Sequence, residues 1–398
     1  MVIRELRVQN YKGFRDAQCV ELRPLTLFYG ENSAGKSALV RLLPWIAESM
    51  ADPRPGPMMD GEVAREALWF DLVYAGNPTQ QVTLGLTWAK PEGAQVTWEV
   101  RGGAYPLPEG TCLLTSLSIV GPSGALRLED DGDQTWEGRV QGVSGLLPRG
   151  GDLDLRAETG LDLSDLALEA QWLSGVRVGI PRVERYLAAV PRRLPPDGQG
   201  VARFLYAWQR FGSPEADAAS ALVFGFYERL GLRLSVAGVG RGVFRLEVTT
   251  IGQAGAVSLA DTGEGLTQVL APLVALARAM TGLGPRVVCL EQPELHLHTN
   301  AQRELARSII EAVQGGAQVL VETHSEVLLA AMQLALAKGT LSPEEVCAYW
   351  VARRKDGVSV AHPVTFTSRG EVRGLWPISA FDDLLKLKDE LFEAQEGV

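Results

Sequence analysis

The chain of 398 residues is 46% hydrophobic and 22% charged, an ordinary globular composition with enough apolar material for one large domain or two moderate ones. Its formal net charge of −10 disfavours nucleic-acid binding over the whole surface, which rests on many Lys and Arg displacing counterions, and leaves only a local basic patch for DNA. Cys19, Cys112, Cys289 and Cys347 form no CxxC or Cys/His spacing, which argues against structural zinc and a disulfide framework and for a reducing cytoplasm.

In chain order, MVIRELRVQNYKGF lacks the apolar core of a signal peptide, and no apolar run approaches the ~20 residues of a membrane span, so no membrane anchoring is expected. Residues 2–9 and 18–23 alternate apolar and polar, and Leu25-Thr26-Leu27-Phe28-Tyr29 is a short apolar run before a glycine; these read as three strands. Residues 36–50 place Leu39, Leu42, Leu43 and Ile46 at helical spacing, with a kink expected at Pro44. The proline-rich stretch 51–62 reads as a loop. From about 80 to 145, short β-rich pieces such as QQVTLGLTW and AQVTWEV predict an antiparallel meander. Residues 200–212 and 214–230 predict helices, the second capped by Ser213 with Pro214 in its first turn. A strand pair near 232–250 is expected to return the chain to the core. From 266 onward, helix LTQVLAPLVALARAM, strand RVVCLE, helix AQRELARSIIEAV, strand QVLVETH and helix EVLLAAMQLALA alternate as in a parallel α/β sheet.

Three motifs carry chemistry. Gly30-Glu31-Asn32-Ser33-Ala34-Gly35-Lys36-Ser37 fits GxxxxGK[ST], the Walker A pattern. Its backbone N–H groups and helix start, through Ala38, wrap phosphates; Lys36 reaches the β- and γ-phosphates and Ser37 ligates Mg²⁺. Val-Val-Cys-Leu-Glu-Gln-Pro-Glu at 287–294 is an apolar strand ending in acids, as Walker B requires, with Glu291 the candidate for the metal. Val-Leu-Val-Glu-Thr-His at 319–324 is a second such strand, whose His324 is a candidate γ-phosphate sensor. Ser258–Gly265 (SLADTGEG) places hydroxyls and glycines before an apolar helix, which taken alone reads equally as a loop with a helix cap or as an anion site of the helix N-terminus type.

The order of Walker A, a long insertion, a Gly-containing signature, Walker B with EQPELHLH, and VETHS resembles the ABC-type ATPases of the RecF/SMC and OLD (overcoming lysogenization defect) group. The similarity is to their compact bacterial, AAA-like members. IRELRVQNYKGFRD, FDLVYAGN (70–77), VRVGIPRVERY (176–186) and WPISAFDD (376–383) resemble segments of that group too, so the resemblance covers nearly the whole chain. It implies an α/β P-loop NTPase fold of ABC-ATPase head type, with a mostly parallel core sheet, an antiparallel β meander and a helical insertion. The implied divisions are a core at 1–50 and 250–340, a β-rich subdomain at 63–150, a mainly helical insertion at 151–249 and a strand/helix extension at 341–398.

The resemblance further implies a head that binds ATP and Mg²⁺ through Lys36, Ser37 and Glu291 in cis, and completes the site with Thr262, Gly263 and Gly265 of a second head. The expected assembly is a homodimer or higher even-numbered oligomer joined by ATP, serving DNA repair or anti-phage defence through an effector or nuclease partner, with DNA a possible ligand. Two departures stand out. Gln292 occupies the usual catalytic Glu position, and Gln orients water without accepting its proton; either Glu294, Glu322 or His324 assists, or turnover is slow and ATP-bound dimers are long-lived. After Ser325, the acids Asp356, Glu371, Asp382 and Asp383 lack the grouped spacing of the nuclease domain that OLD proteins carry.

Lys12 and Arg15 follow the first strand, where related heads approach the nucleotide. Arg177, Arg182, Arg185, Arg192 and Arg193 read as a solvated loop, with DNA phosphate or a neighbouring head's nucleotide as the alternative. His296 and His298 are expected to pack or cap the turn after Walker B. Trp69, Trp88, Trp98 and Trp136 read as core or interface. FDDLLKLKDELFEAQ reads as an amphipathic C-terminal helix.

Overall fold

The computed structural model describes residues 2–54, 56–102, 112–130, 140–149, 153–186, 190–376 and 390–392. Trp136, Asp382, Asp383, the end of the WPISAFDD segment and most of the C-terminal amphipathic stretch lie outside them. Among the described residues no helix is long and apolar enough to cross a membrane.

Two sheets organise the chain. The central one has seven strands in the order Ala170–Leu173, Val287–Glu291, Gln318–Glu322, Leu25–Gly30, Val346–Arg353, Ser359–Phe366, Val372–Gly374. The first five run parallel, and Ser359–Phe366 runs antiparallel to its neighbours on both sides. Leu25–Gly30, Val287–Glu291 and Gln318–Glu322 are buried along their whole length, as near-continuous apolar runs in a sheet covered on both faces must be. The second sheet is antiparallel: Gln18–Glu21, Ile3–Gln9, Val82–Trp88, Gln95–Gly102, Cys112–Gly121 and Gly124–Glu129.

The P-loop helix, Lys36–Ala51, lies in the core between these sheets, among side chains such as Leu39, Leu43, Leu84, Trp98, Cys289 and Leu320. The other face of the central sheet is covered by helices Ala202–Phe211, Pro214–Arg229, Leu270–Thr281, Thr299–Gln314 and Glu326–Ala337, whose apolar sides form a separate core. Ser213 accepts a hydrogen bond from the Ala216 amide at 3.1 Å, with Pro214 following it, as the sequence predicts.

Several boundaries differ from the sequence reading. Ile3–Gln9, assigned with 1–50 to the core, pairs with Gln18–Glu21 and with the meander strand Val82–Trp88. Ala170–Leu173, expected in a helical insertion, pairs in parallel with Val287–Leu290; four buried residues give too short a run to stand out by periodicity. The 341–398 extension supplies three central strands. Leu232–Gly240 and Val243–Thr250 return the chain to the core through Leu234, Phe244, Leu246 and Val248, and they do so in a small sheet of their own with Glu184–Arg185 and Val257–Ser258. The helix expected from 266 is two, Glu264–Gln268 and Leu270–Thr281, meeting at Val269. The helix Lys36–Ala51 runs unbroken through Pro44.

Candidate functional site

Pleat parity decides which side chains meet. Along Val287–Glu291, Val287 and Cys289 face the core that holds the P-loop helix, while Val288 and Leu290 face the other; alternation sends Glu291 to the P-loop side. Along Gln318–Glu322, Leu320 faces the P-loop side and Val319 and Val321 the other, so Glu322 follows Leu320. The two strands are parallel neighbours with Glu291 directly opposite Glu322. Both carboxylates are buried, 5% exposed each.

The loop Gly30–Ser37 joins its strand to its helix as Walker A requires. Gly30 has φ 139°, and a Cβ there would collide with the Val351 carbonyl of the adjacent strand, so only glycine fits. Glu31, Asn32 and Ser33 are exposed, while Ala34 and Ala38 are buried. The buried Lys36 ammonium donates to the carbonyls of Gly30 at 2.8 Å and Glu31 at 2.7 Å. Burial lowers its pKa, and the charges of Glu322 and Glu31 oppose that shift.

Glu291 is held by three donors. Arg41, one turn into the P-loop helix, grips it with two nitrogens, Nε to Oε1 and Nη2 to Oε2 at 2.7 Å. Trp172 Nε1 donates to Oε1 at 2.9 Å. The guanidinium groups of Arg41 and Arg65 each lie 5.2 Å from the Trp172 ring centre, within cation–π range. Glu322 has a different neighbour: burial, with the charge of Glu291, raises its pKa against the Ser37 hydroxyl and the charges of Lys36 and Arg41. Its Oε2 is buried and has no hydrogen-bond partner among the described residues.

Gln292, with φ 43°, donates its amide to the Glu322 carbonyl at 2.8 Å. Arg177 fixes the turn, donating Nη1 to the Glu291 carbonyl and Nη2 to that of Gln292, both at 3.0 Å. The solvated-loop reading therefore fails for Arg177, which is buried and whose pKa burial lowers to about 10. Arg182 and Arg192 do sit at the surface, paired with Asp261 and Glu169.

Glu294 is turned toward the backbone of the neighbouring strand end. Its Oε1 accepts from Thr323 Oγ1 at 2.6 Å and from the His324 amide at 3.0 Å, and burial raises its pKa. His324 is exposed; partial desolvation and then the Lys36 charge lower its pKa, favouring the neutral imidazole. His298 heads the helix Thr299–Gln314 without a side-chain cap bond, so the capping expectation fails there. His296 Nε2 lies 3.7 Å from Glu264.

The Lys12 ammonium lies 6.0 Å from the Tyr11 ring centre. Burial and then Arg41 lower its pKa, with contributions from Asp71, Arg65 and Glu291. Thr262 Oγ1 donates to the Leu259 carbonyl at 2.7 Å. Gly263 is exposed and Gly265 packs directly on the His296 carbonyl. That contact ties the glycine stretch to the turn after Walker B.

Arg41, Arg65, Trp172 and the partnership of Ser37 with Glu322 were not read from the sequence. The parity of VLVE was available for Glu322; nothing local marked the others. Ser37 and its neighbour Glu322 offer oxygen ligands, the kind a hard cation such as Mg²⁺ takes.

Comparison with known proteins bears on the fold. Residues 205–330, which contain Gly263, Glu291, Gln292, Glu294 and His324, match the family described as "AAA domain, putative AbiEii toxin, Type IV TA system". No curated protein matches the chain. Among solved structures, an SMC head bound to the C-winged helix domain of ScpA is similar with TM-score 0.51 and 14% identity, over 96% of this chain and 100% of that one. An SMC head domain from Thermotoga maritima aligns with TM-score 0.49 and 14% identity, over 92% of this chain and 99% of that one. An Smc head domain with an extended coiled coil, bound to the C-terminal domain of ScpA derived from Pyrococcus furiosus, aligns with TM-score 0.49 and 14% identity, over 97% and 99%. The chain thus has the α/β fold of an SMC-type head.

Proposed function

We propose that this protein binds ATP with Mg²⁺ at Gly30–Ser37, hydrolyses it slowly, and joins a second copy over the nucleotide. The observation that carries the reading is the convergence of Lys36, Ser37, Glu291 and Glu322 on one face of the central sheet. Phosphate oxygens replace the Gly30 and Glu31 carbonyls as partners of Lys36, with loop amides and the helix start completing the cradle. Ser37 and Glu291 are the residues that the Walker pattern assigns to Mg²⁺, which supplies charge neutralisation at the transferring phosphate. Thr262, Gly263 and Gly265 serve the nucleotide of the partner head, and their exposed edge at Gly263 supports that role. ATP then favours the joined state because only that state offers both halves of the site.

Gln292 supports slow turnover, since its amide holds a water in place without taking its proton. His324, whose lowered pKa favours the neutral imidazole, is assigned the role of accepting that proton or sensing the γ-phosphate. The biological role that fits is DNA repair or anti-phage defence, with the head controlling an effector or nuclease partner, as the OLD resemblance suggests. A nucleotide-gated scaffold with little hydrolysis is the second reading; the three donors already committed to Glu291 favour it. Equilibrium ATP titration of wild type and Lys36→Ala, followed by single-turnover hydrolysis, tests the first reading. Binding by wild type without any phosphate release over hours selects the second.

A further inference from the structure

Glu291 is the acid that the Walker pattern nominates for the metal, yet its two oxygens already receive three hydrogen bonds, from Arg41 and Trp172. A carboxylate neutralised by a bidentate guanidinium is a poor inner ligand, because metal and Arg compete for the same lone pairs. Glu322 presents the opposite case. It ends the strand that lies directly beside the P-loop strand, whereas Val287–Glu291 lies one strand further out. It faces Ser37, is 5% exposed, and keeps one buried oxygen without a partner among the described residues. A buried carboxylate oxygen left unbonded costs free energy unless something else satisfies it. A divalent cation at the Ser37 hydroxyl would do so, with the oxygen donors such a cation prefers.

We infer that Glu322 is a direct protein ligand of the nucleotide-bound divalent cation, together with Ser37, and that Glu291 acts behind it as a positioning residue locked by Arg41 and Trp172. This rests on ATP binding at the P-loop and adds a ligand that the Walker pattern does not contain. Glu322 and Lys36 then flank the phosphates from opposite charges, and the amide-to-carbonyl bond from Gln292 to Glu322 couples the metal to the water-orienting residue.

The test is Mn²⁺ binding, read by loss of the free-ion EPR signal, in the presence of a slowly hydrolysed ATP analogue, with metal-free ATP affinity measured in parallel. Wild type, Glu322→Gln and Glu291→Gln are compared. The expected result is a loss of Mn²⁺ affinity of at least tenfold in Glu322→Gln, larger than in Glu291→Gln, with metal-free ATP binding by wild type as the reference. A Glu322→Gln loss no larger than that of Glu291→Gln overturns the assignment while leaving ATP binding intact. Absence of metal-free ATP binding by wild type overturns the P-loop reading and the assignment together. If Glu322→Gln does not fold, Glu322→Asp and Glu291→Asp replace the pair, and the same ordering of Mn²⁺ losses decides.

Discussion

Glu291 and Glu322 stand opposite one another on adjacent parallel strands, both buried, and each is answered by a different residue of the P-loop helix: Arg41 for the first, Ser37 for the second. Two carboxylates in one buried site repel unless each has its own partner. The helix Lys36–Ala51 supplies both partners within its first two turns, so phosphate loop, metal site and positioning network are one mechanical unit.

Removing the Arg41 guanidinium leaves Glu291 buried with only Trp172. Breaking a buried ion pair from one side costs about 3 kcal/mol or more. Arg41→Ala is therefore expected to lower the urea midpoint by that equivalent. Arg41→Lys, which keeps the charge but not the two-nitrogen grip, should recover part of it. An unchanged midpoint in Arg41→Ala contradicts the described network.

Glu294 gives a pH signature. Burial raises its folded-state pKa, so the folded protein holds this proton more tightly than the unfolded chain does. Its contribution is fully present below the unfolded value near 4.5 and is lost as pH rises through the raised folded value. Glu294→Gln cannot titrate, so the difference in unfolding free energy between variant and wild type should shift in the variant's favour as pH climbs from 4.5 to 8. A pH-independent difference in denaturant titrations would show that Glu294 is not strained in its ionised form.

Gln292→Glu restores a group that accepts a proton. A positioned general base contributes about 100-fold or more to rate. Single-turnover hydrolysis should accelerate by about that factor in Gln292→Glu, with ATP affinity changed little. No acceleration would mean that the missing base does not limit turnover.

Lys36→Ala removes a buried ammonium that reaches two loop carbonyls. A hydrogen bond to a charged group contributes about 2 to 3 kcal/mol, so ATP affinity should fall by about 100-fold in a fluorescence titration.

What was legible in the sequence is what local pattern encodes. The strand before Gly30, the glycine loop, the acid-tipped strands at 287–291 and 318–322, and the Ser213 cap all follow from runs of neighbours in the chain. Arg177 shows the opposite case: it sits among prolines and arginines that look solvated, and only the fold brings it under the Glu291 and Gln292 carbonyls. Trp172 is similar, since the four-residue strand that carries it is defined by pairing with Val287–Leu290 rather than by its own periodicity. The break at Val269 was hidden because both helical pieces share one apolar face. The amphipathic reading at the C-terminus falls mostly outside the described residues.

The central claim is that nucleotide bound at Gly30–Ser37 joins two heads. Mass measured by light scattering during size exclusion tests it, with wild type and Lys36→Ala each run with and without ATP or a slowly hydrolysed analogue. A nucleotide-dependent doubling of mass is expected for wild type and none for Lys36→Ala. A wild-type mass unchanged by either nucleotide, at concentrations where binding is saturated, would contradict it.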